Sequence, residues 1–245
     1  MCDTTAVAPP PALDYVRGRV PLYTIAGAAT LLGVPSSTFT TWVNGYVRRP
    51  PGRKTVIGAG MVTKIGVPGN GPSIPFVGLA EGMALAAFRR RHEIPLPRIR
   101  AAVTELEEKL GLEHALASEH LYILGPKLLY DYAHRADDPD LIDLVELDRG
   151  QAVFAPVVRD YLRQLTYDDV GWAERLRVPI YRRAEVYADP HHGSGEPFFA
   201  PSGIPVLDVV GRYIGGDPIR LLSKDYDIPE EQITEAVEIA QRRAA

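Results

Sequence analysis

The sequence predicts a mainly α-helical protein with small β elements. Apolar residues recur at helical spacing near both ends of the chain, and short β-branched runs broken by Pro and Gly follow the N-terminal helices. These patterns divide the chain into a flexible N-terminal tail (1–20), a helix-turn-helix with a hairpin (21–111), an α+β connector (112–180) and a C-terminal three-helix unit (181–245). The three C-terminal helices follow one another in a helix-turn-helix-like order.

The first two predicted helices flank a short turn. Apolar residues recur at helical spacing from Ile25 to Leu32, Thr24 is placed to cap the start, and Gly33 suits the left-handed position at which a helix ends. Ser36 is the predicted N-cap of the second helix, which packs through Phe39, Trp42 and Val43. This order of helix, tight turn and helix is typical of a helix-turn-helix, although a plain αα-hairpin with a polar face would share it.

Small polar side chains occupy the outward positions of the second helix. Hydroxyl and amide groups of this size can reach base edges and phosphates without blocking entry to a groove. The candidate DNA-contacting residues on this helix are Ser36, Ser37, Thr38, Thr40, Thr41 and Asn44.

Basic residues are concentrated in this part of the chain. Between Tyr15 and Ala80 there is no Asp or Glu, and seven Arg or Lys residues give the segment a charge of +7, whereas the whole chain carries −4. The β-branched runs after the second helix predict a hairpin whose loop carries Arg48, Arg49, Arg53 and Lys54. We expect this hairpin to act as a wing that contacts phosphates, since Arg and Lys supply most non-specific affinity for DNA.

The stretch "YTIAGAATLLGVPSSTFTTWV" resembles the MerR-type winged helix-turn-helix. The similarity continues through "LAEGMALAAFRRRHEIPLPRIRAAVTELEEKLG", in which an apolar stripe from Ile99 to Leu110 runs between Pro97 and Gly111. The resemblance implies a DNA-binding head. MerR regulators extend the last of these helices into a dimeric coiled coil, whereas here the predicted helix ends after about four turns.

The predicted connector combines short strands with a short helix. "HLYILG" predicts a strand, "LIDLVELDRGQAVF" predicts two strands around a turn, and "APVVRDYLRQL" predicts a helix that includes Leu165 among its apolar positions. The acidic group around Pro139 lacks the spacing of a calcium-binding loop, so we expect a solvated turn there.

The loop "DPHHGSGEPFFAPSGIPV" follows a predicted strand, "RRAEVYA", and leads into the three C-terminal helices. Adjacent residues on an extended chain point to opposite sides, so His191 and His192 are poorly placed to bind one ion. We therefore predict no metal, no cofactor and no catalytic group here, only a bend in the chain. Asp217 is the predicted N-cap of the second helix of the tail, and Pro229 is the predicted start of the third.

Composition bounds the setting in which the chain works. Its 245 residues exceed a typical single domain, and 46% hydrophobic with 24% charged residues is ordinary for a globular protein. The single cysteine, Cys2, excludes an internal disulfide and a thiolate-rich metal site. The chain lacks a long apolar run and a signal-like start, so we expect a cytoplasmic protein without a membrane partner.

Residues from Asp189 onwards resemble a small helical family of unknown function, through Asp189-Pro190, "GEPF", "GIPV" and "GGDPIRLLSKDYDIPEEQITEAV". A MerR-like head joined to this tail resembles the larger VapB-type antitoxins. The resemblance implies a non-enzymatic homodimer that binds operator DNA, represses its own operon and neutralises a VapC-like PIN-domain ribonuclease toxin. It makes Arg242 and Arg243 candidate toxin contacts, although cations at a helix C-terminus also have a purely structural use.

Two other functions are compatible with the same sequence. The chain could be a one-component MerR-like regulator in which the middle and C-terminal regions bind a small ligand. It could also be a protein-interaction module whose basic segment binds DNA without sequence preference or not at all. An apolar pocket with a few convergent polar groups would favour the regulator.

Overall fold

The computed structural model describes residues 13–49, 55–66, 71–91, 95–137, 139–142, 145–148 and 151–244. Within these residues the predicted fold class, mainly α with small β elements, is confirmed. The α-helices are α1 (Tyr15–Arg19), α2 (Ile25–Leu32), α3 (Ser36–Asn44), α4 (Phe76–Arg91), α5 (Leu96–Leu110), α6 (Glu119–Ala136), α7 (Pro139–Ile142), α8 (Pro156–Leu162), α9 (Val206–Ile214), α10 (Ile219–Tyr226) and α11 (Glu230–Ala244).

The strands form three small antiparallel sheets. They are β1 (Tyr46–Arg48), β2 (Val56–Gly58), β3 (Val145–Asp148), β4 (Gln151–Phe154), β5 (Leu165–Tyr167), β6 (Ala173–Arg177), β7 (Val186–Ala188) and β8 (Phe198–Phe199). β1 pairs with β2 and β3 with β4, as predicted, whereas β5 to β8 form one four-stranded sheet in sequence order. This sheet takes strands from both sides of residue 180, and the predicted domain boundaries stay a prediction.

Helix α4 is the centre of the structure. Every residue from Phe76 to Phe88 is buried, because other elements surround the helix on all sides. Gly82 permits the closest of these contacts: a Cβ atom there would lie 2.6 Å from Phe39 of α3 and 2.8 Å from Leu32 of α2. The helix-turn-helix can therefore pack closely against α4 because residue 82 is glycine and has no side chain.

The helix-turn-helix forms as predicted, with one correction. The Thr24 side chain accepts a hydrogen bond from the Gly27 amide, and Gly33 ends α2 with a left-handed φ of 65°. Ser36, however, is the first residue of α3 and not its N-cap, because Pro35 takes the cap position without a side-chain hydrogen bond.

The connector differs from the prediction at two points. "HLYILG" lies in the 18-residue helix α6 and not in a strand, since buried Leu121, Leu129 and Ala133 follow one helix face over a longer span than that motif covers. Leu165 belongs to β5, because α8 already ends at Leu162. The connector packs on the head, where the Tyr161 hydroxyl donates to the Leu32 carbonyl at 3.0 Å.

Both ends of the chain also carry corrections. Within the segment 1–20 predicted as a flexible tail, Tyr15–Arg19 is a helix, and its Arg17 forms a 2.6 Å ion pair with Asp168. The three C-terminal helices are confirmed. The cap position of α10 is Pro218, because the Asp217 carboxylate instead accepts from Arg212 at 2.6 Å, and α11 begins at Glu230, one residue after Pro229.

A buried carboxylate joins the C-terminal helices to the chain before them. Glu235 of α11 is only 6% exposed and accepts hydrogen bonds from the backbone amides of Arg182, Arg183 and Ala184 at 2.7–2.9 Å. These three donors have no strand partner, so Glu235 fixes the 182–184 segment against α11.

We predict that Glu235→Ala lowers the free energy of unfolding by about 3 kcal/mol or more, because it leaves buried amides without an acceptor. Glu238→Ala is the matched control on the same helix, since its exposed ion pair with Arg183 contributes less than about 1 kcal/mol. Urea denaturation of both variants measures the difference. Equal losses in the two variants would contradict the stabilising role of Glu235.

Candidate nucleic-acid interface and the sites around it

Helix α3 presents a polar face opposite its buried one. Phe39, Trp42 and Val43 are buried, with the first two rings in edge contact at 6.0 Å between centroids. The predicted DNA-contacting residues lie on the remaining surface. Ser36, Ser37, Thr40 and Asn44 are exposed, whereas Thr38 and Thr41 are half-buried.

Two hydrogen bonds order the groups on this face. The Thr41 hydroxyl donates to the Ser37 carbonyl at 2.9 Å, which leaves its oxygen free to accept but commits its proton. Lys64 Nζ donates to Asn44 Oδ1 at 3.2 Å. Lys64 therefore adds a cation beside the end of α3, a position that no local sequence pattern indicates because twenty residues separate the two side chains.

Arg100 of α5 contacts the hairpin that follows α3. Arg100 donates through Nε and Nη2 to the Ala59 carbonyl at 3.0 and 2.6 Å, and its guanidinium lies 5.5 Å from the centroid of the Tyr46 ring. Of the predicted wing cations, Arg48 lies in β1 and Arg49 is exposed beyond it. Arg53 and Lys54 lie outside the described residues.

A buried carboxylate connects the segment after the hairpin to α4. Glu81 is buried and accepts from both the amide and the hydroxyl of Thr63, and His114 Nδ1 lies 2.9 Å from its Oε1. This hydrogen bond with Glu81 raises the pKa of His114. Burial, together with the nearby Glu81, raises the pKa of Glu107.

The C-terminal arginines lie in a cleft that also includes the turn of the helix-turn-helix. The cleft has a volume of about 980 Å³. Arg242 and Arg243, in the last turn of α11, line it together with Arg182, Arg183 and residues 33–35. Arg242 and Arg243 are the candidate toxin contacts of the sequence analysis, and this role stays a prediction.

A second cavity, of about 460 Å³, lies between α2 and the C-terminal unit. Its lining is mainly apolar, including Leu22, Leu31 and Val206, and its charged groups are Glu196 and Arg243. Tyr23, also in this lining, donates its buried hydroxyl to the Gly195 carbonyl at 2.9 Å, and burial raises the pKa of that hydroxyl.

The two adjacent histidines have separate neighbours. His192 packs on Phe198 with 4.1 Å between ring centroids, and its Nε2 lies 2.9 Å from the Gly203 carbonyl oxygen. His191 lies 3.7 Å from Asp14, on the other side of the chain. Among the described residues no group of three His, Cys, Asp or Glu side chains converges as a metal site.

Comparison with known proteins identifies the family. Residues 21–103 match the family described as "Putative DNA-binding HTH domain", and residues 186–240 match the family of unknown function DUF433. The chain is 38% identical over 229 residues to "Putative antitoxin VapB45" of Mycobacterium tuberculosis, a match that covers 91% of this chain and 95% of that protein. It belongs to the VapB-type antitoxins.

Two other matches come from the same organism. "Uncharacterized protein Rv2308" is 26% identical over 226 residues, covering 90% of each chain. The X-ray crystal structure of Rv2018 superimposes with a TM-score of 0.78 at 35% identity, covering 90% of this chain and 99% of that one. This VapB-type chain thus shares its fold with a solved protein over almost its whole length. Within the described part of the chain, each helix is too short or too polar to cross a membrane.

We predict that the contribution of His114 to the free energy of unfolding is lost as the pH rises above the ordinary histidine pKa of about 6.5. The raised pKa of His114 means that its charged form stabilises the fold fully below the ordinary histidine pKa of about 6.5, and this contribution is lost as the pH rises through the raised value. His114→Asn should flatten the pH dependence, because Asn tolerates the left-handed backbone (φ 40°) but does not titrate. Urea denaturation at several pH values measures the slope, and an unchanged slope in the variant would contradict the assignment.

Proposed function

We propose that this chain binds and neutralises a VapC-like PIN-domain ribonuclease toxin and represses its own operon by binding operator DNA. The observation that carries the proposal is the full-length similarity to an antitoxin in a chain whose α3 presents an exposed polar face. In this proposal the chain acts by binding the toxin and the operator, and it catalyses no reaction itself.

In the proposed DNA complex, α3 enters the major groove. Ser37 and Thr40 lie on its outermost face and are suited to base edges, whereas Arg49 and the other wing cations are suited to phosphates. A homodimer would place two copies of α3 on an inverted repeat, with half-sites about 34 Å apart.

The proposed toxin interface lies on the C-terminal helices. Leu207, Ile214 and Leu221 are 63%, 77% and 40% exposed. The first two, seven residues apart, share one face of α9, and Leu221 lies on the next helix, α10; we call these three residues the apolar stripe. Gly211 lies between the first two, and a Cβ atom there would meet nothing within 4 Å, so packing inside this chain does not require glycine. An open apolar stripe of this kind favours a protein partner. The resemblance to VapB-type antitoxins also makes Arg242 and Arg243 candidate contacts with the toxin, which the apolar stripe does not require.

The one-component regulator is the second candidate, because a ligand-sensing protein needs an apolar cavity with a few polar groups. The cavity between α2 and the C-terminal unit is of this kind. A volume of about 460 Å³ accommodates a small organic molecule, and Tyr181, Glu196 and Arg243 offer it polar contacts of both signs. A ligand bound there would contact the first helix of the helix-turn-helix directly.

We predict that Ser37→Asp weakens DNA binding about tenfold or more, because it places a negative charge on the groove-facing surface. The fold should persist, since an acidic residue in the first turn of a helix is favourable. Lys127→Ala, which makes the same change in net charge on the exposed surface of α6, is the control. Fluorescence anisotropy with the DNA upstream of the chain's own gene measures both, and equal affinities would exclude α3 as the contacting helix.

We predict that Ile214→Asp with Leu221→Asp abolishes complex formation with the product of the neighbouring gene and restores its ribonuclease activity. Two charges in a desolvated interface should cost at least about thirtyfold in affinity. Ile123→Asp with Val170→Asp, two exposed apolar residues outside the stripe, is the matched control. Co-purification followed by a ribonuclease assay provides the measurement. Absence of any complex for the wild-type chain, together with DNA binding that responds to a small molecule, would favour the regulator instead.

A further inference from the structure

The arginine cleft adjoins the start of the proposed recognition helix. Pro35, which lines the cleft, is the residue immediately before α3, and Gly33 and Val34 line it too. The opposite end of α3 leads through Gly45 into the β1–β2 hairpin. A basic surface therefore lies at each end of the helix, the wing at its C-terminus and the cleft at its N-terminus.

The cleft is built on fixed backbone. Glu235 holds the amides of residues 182–184 against α11, which sets Arg182 and Arg183 opposite Arg242 and Arg243. On the other side, Ile180 lies 3.3 Å from where a Cβ atom of Gly33 would be. The backbone that carries Arg182 and Arg183 is thus fixed against α11 and beside the turn before α3.

The cleft has surplus positive charge. Its two carboxylates are already engaged, Glu235 by backbone amides and Glu238 by an ion pair with Arg183 at 3.3 Å. Among the described residues, no carboxylate forms an ion pair with the exposed Arg182, Arg242 or Arg243. The four guanidinium groups against two carboxylates suit an anionic partner.

We propose that this cleft binds the phosphate backbone of the same DNA duplex whose groove α3 enters. The inference rests on the proposed DNA binding by α3. A duplex with its major groove on α3 carries phosphates along both edges of that groove, and one edge faces the N-terminal end of the helix. The cleft therefore supplies the phosphate contacts on the side opposite to the wing, and the C-terminal unit becomes part of the DNA-binding surface.

The test replaces Arg182, Arg242 and Arg243 by Ala together, and leaves Arg183 in its ion pair with Glu238. Lys109, Lys127 and Lys224, which are exposed on α5, α6 and α10, are replaced by Ala in the charge-matched control. Affinity for the DNA upstream of the chain's own gene, the probe used for the Ser37 variant, is measured at several salt concentrations, and circular dichroism checks that each variant is folded.

We expect the arginine variant to bind about tenfold or more weakly near 0.15 M salt, with the slope of log affinity against log salt reduced by about two to three. The lysine control should keep the wild-type slope. Replacing the same three arginines by Lys should restore most of it, because Lys also neutralises phosphates. Hydroxyl-radical footprinting should show lost protection on one edge of the site only.

Several results would overturn this inference. A slope equal to that of the lysine control would remove the cleft from the DNA interface while leaving the role of α3 intact. Loss of toxin binding with unchanged DNA binding would assign the arginines to the toxin. A wild-type chain that does not bind the duplex at all would overturn the proposed DNA binding itself, and this inference with it.

Discussion

The burial of α4 on all sides is the constraint on which the rest of the structure depends. The helix-turn-helix can approach it because residue 82 is glycine, and Phe39 and Leu32 occupy the space that a side chain would fill. The same helix carries Glu81, a buried carboxylate whose hydrogen bonds to Thr63 and His114 fix the segment after the wing. Contacts with α4 therefore fix both the orientation of α3 and the base of the hairpin. The polar face of α3 is exposed because its apolar face is buried against α4.

The features that the sequence predicted correctly have local physical causes. Thr24 and Gly33 act within one turn of the helix ends that they cap, so the helix-turn-helix could be recognised from adjacent residues. One prediction failed because its pattern was short. "HLYILG" is too brief to distinguish a strand from part of a helix, and only the burial of Leu129 and Ala133 further along shows the period of α6.

The arginine cleft shows what sequence reasoning could not reach. Arg182 and Arg242 are separated by sixty residues, and both are far in sequence from the turn at Gly33, so no spacing rule brings them together. Summed along the chain, the C-terminal segment from Asp217 to Glu238 is acidic, which predicts repulsion from DNA. The fold separates these charges in space: the two carboxylates that line the cleft are engaged, and Arg182, Arg242 and Arg243 remain available. Local potential at a surface, and not the net charge of a segment, decides what that surface attracts.

The geometry of the C-terminal unit also bears on how its two proposed partners influence each other. Leu207, at one end of the apolar stripe, lines the same cavity as Arg243, which also belongs to the arginine cleft. A toxin on the stripe and a duplex on the cleft would therefore be neighbours, and charges on one would act on the other without any change in the antitoxin's shape. Such coupling is reciprocal, since a toxin that changes the affinity for DNA by some factor must have its own affinity changed by DNA by the same factor. Because DNA is a polyanion, the sign of the coupling is set by the charge that the toxin carries where it meets Leu207 and Arg243: a basic edge strengthens both complexes, and an acidic edge makes each partner displace the other.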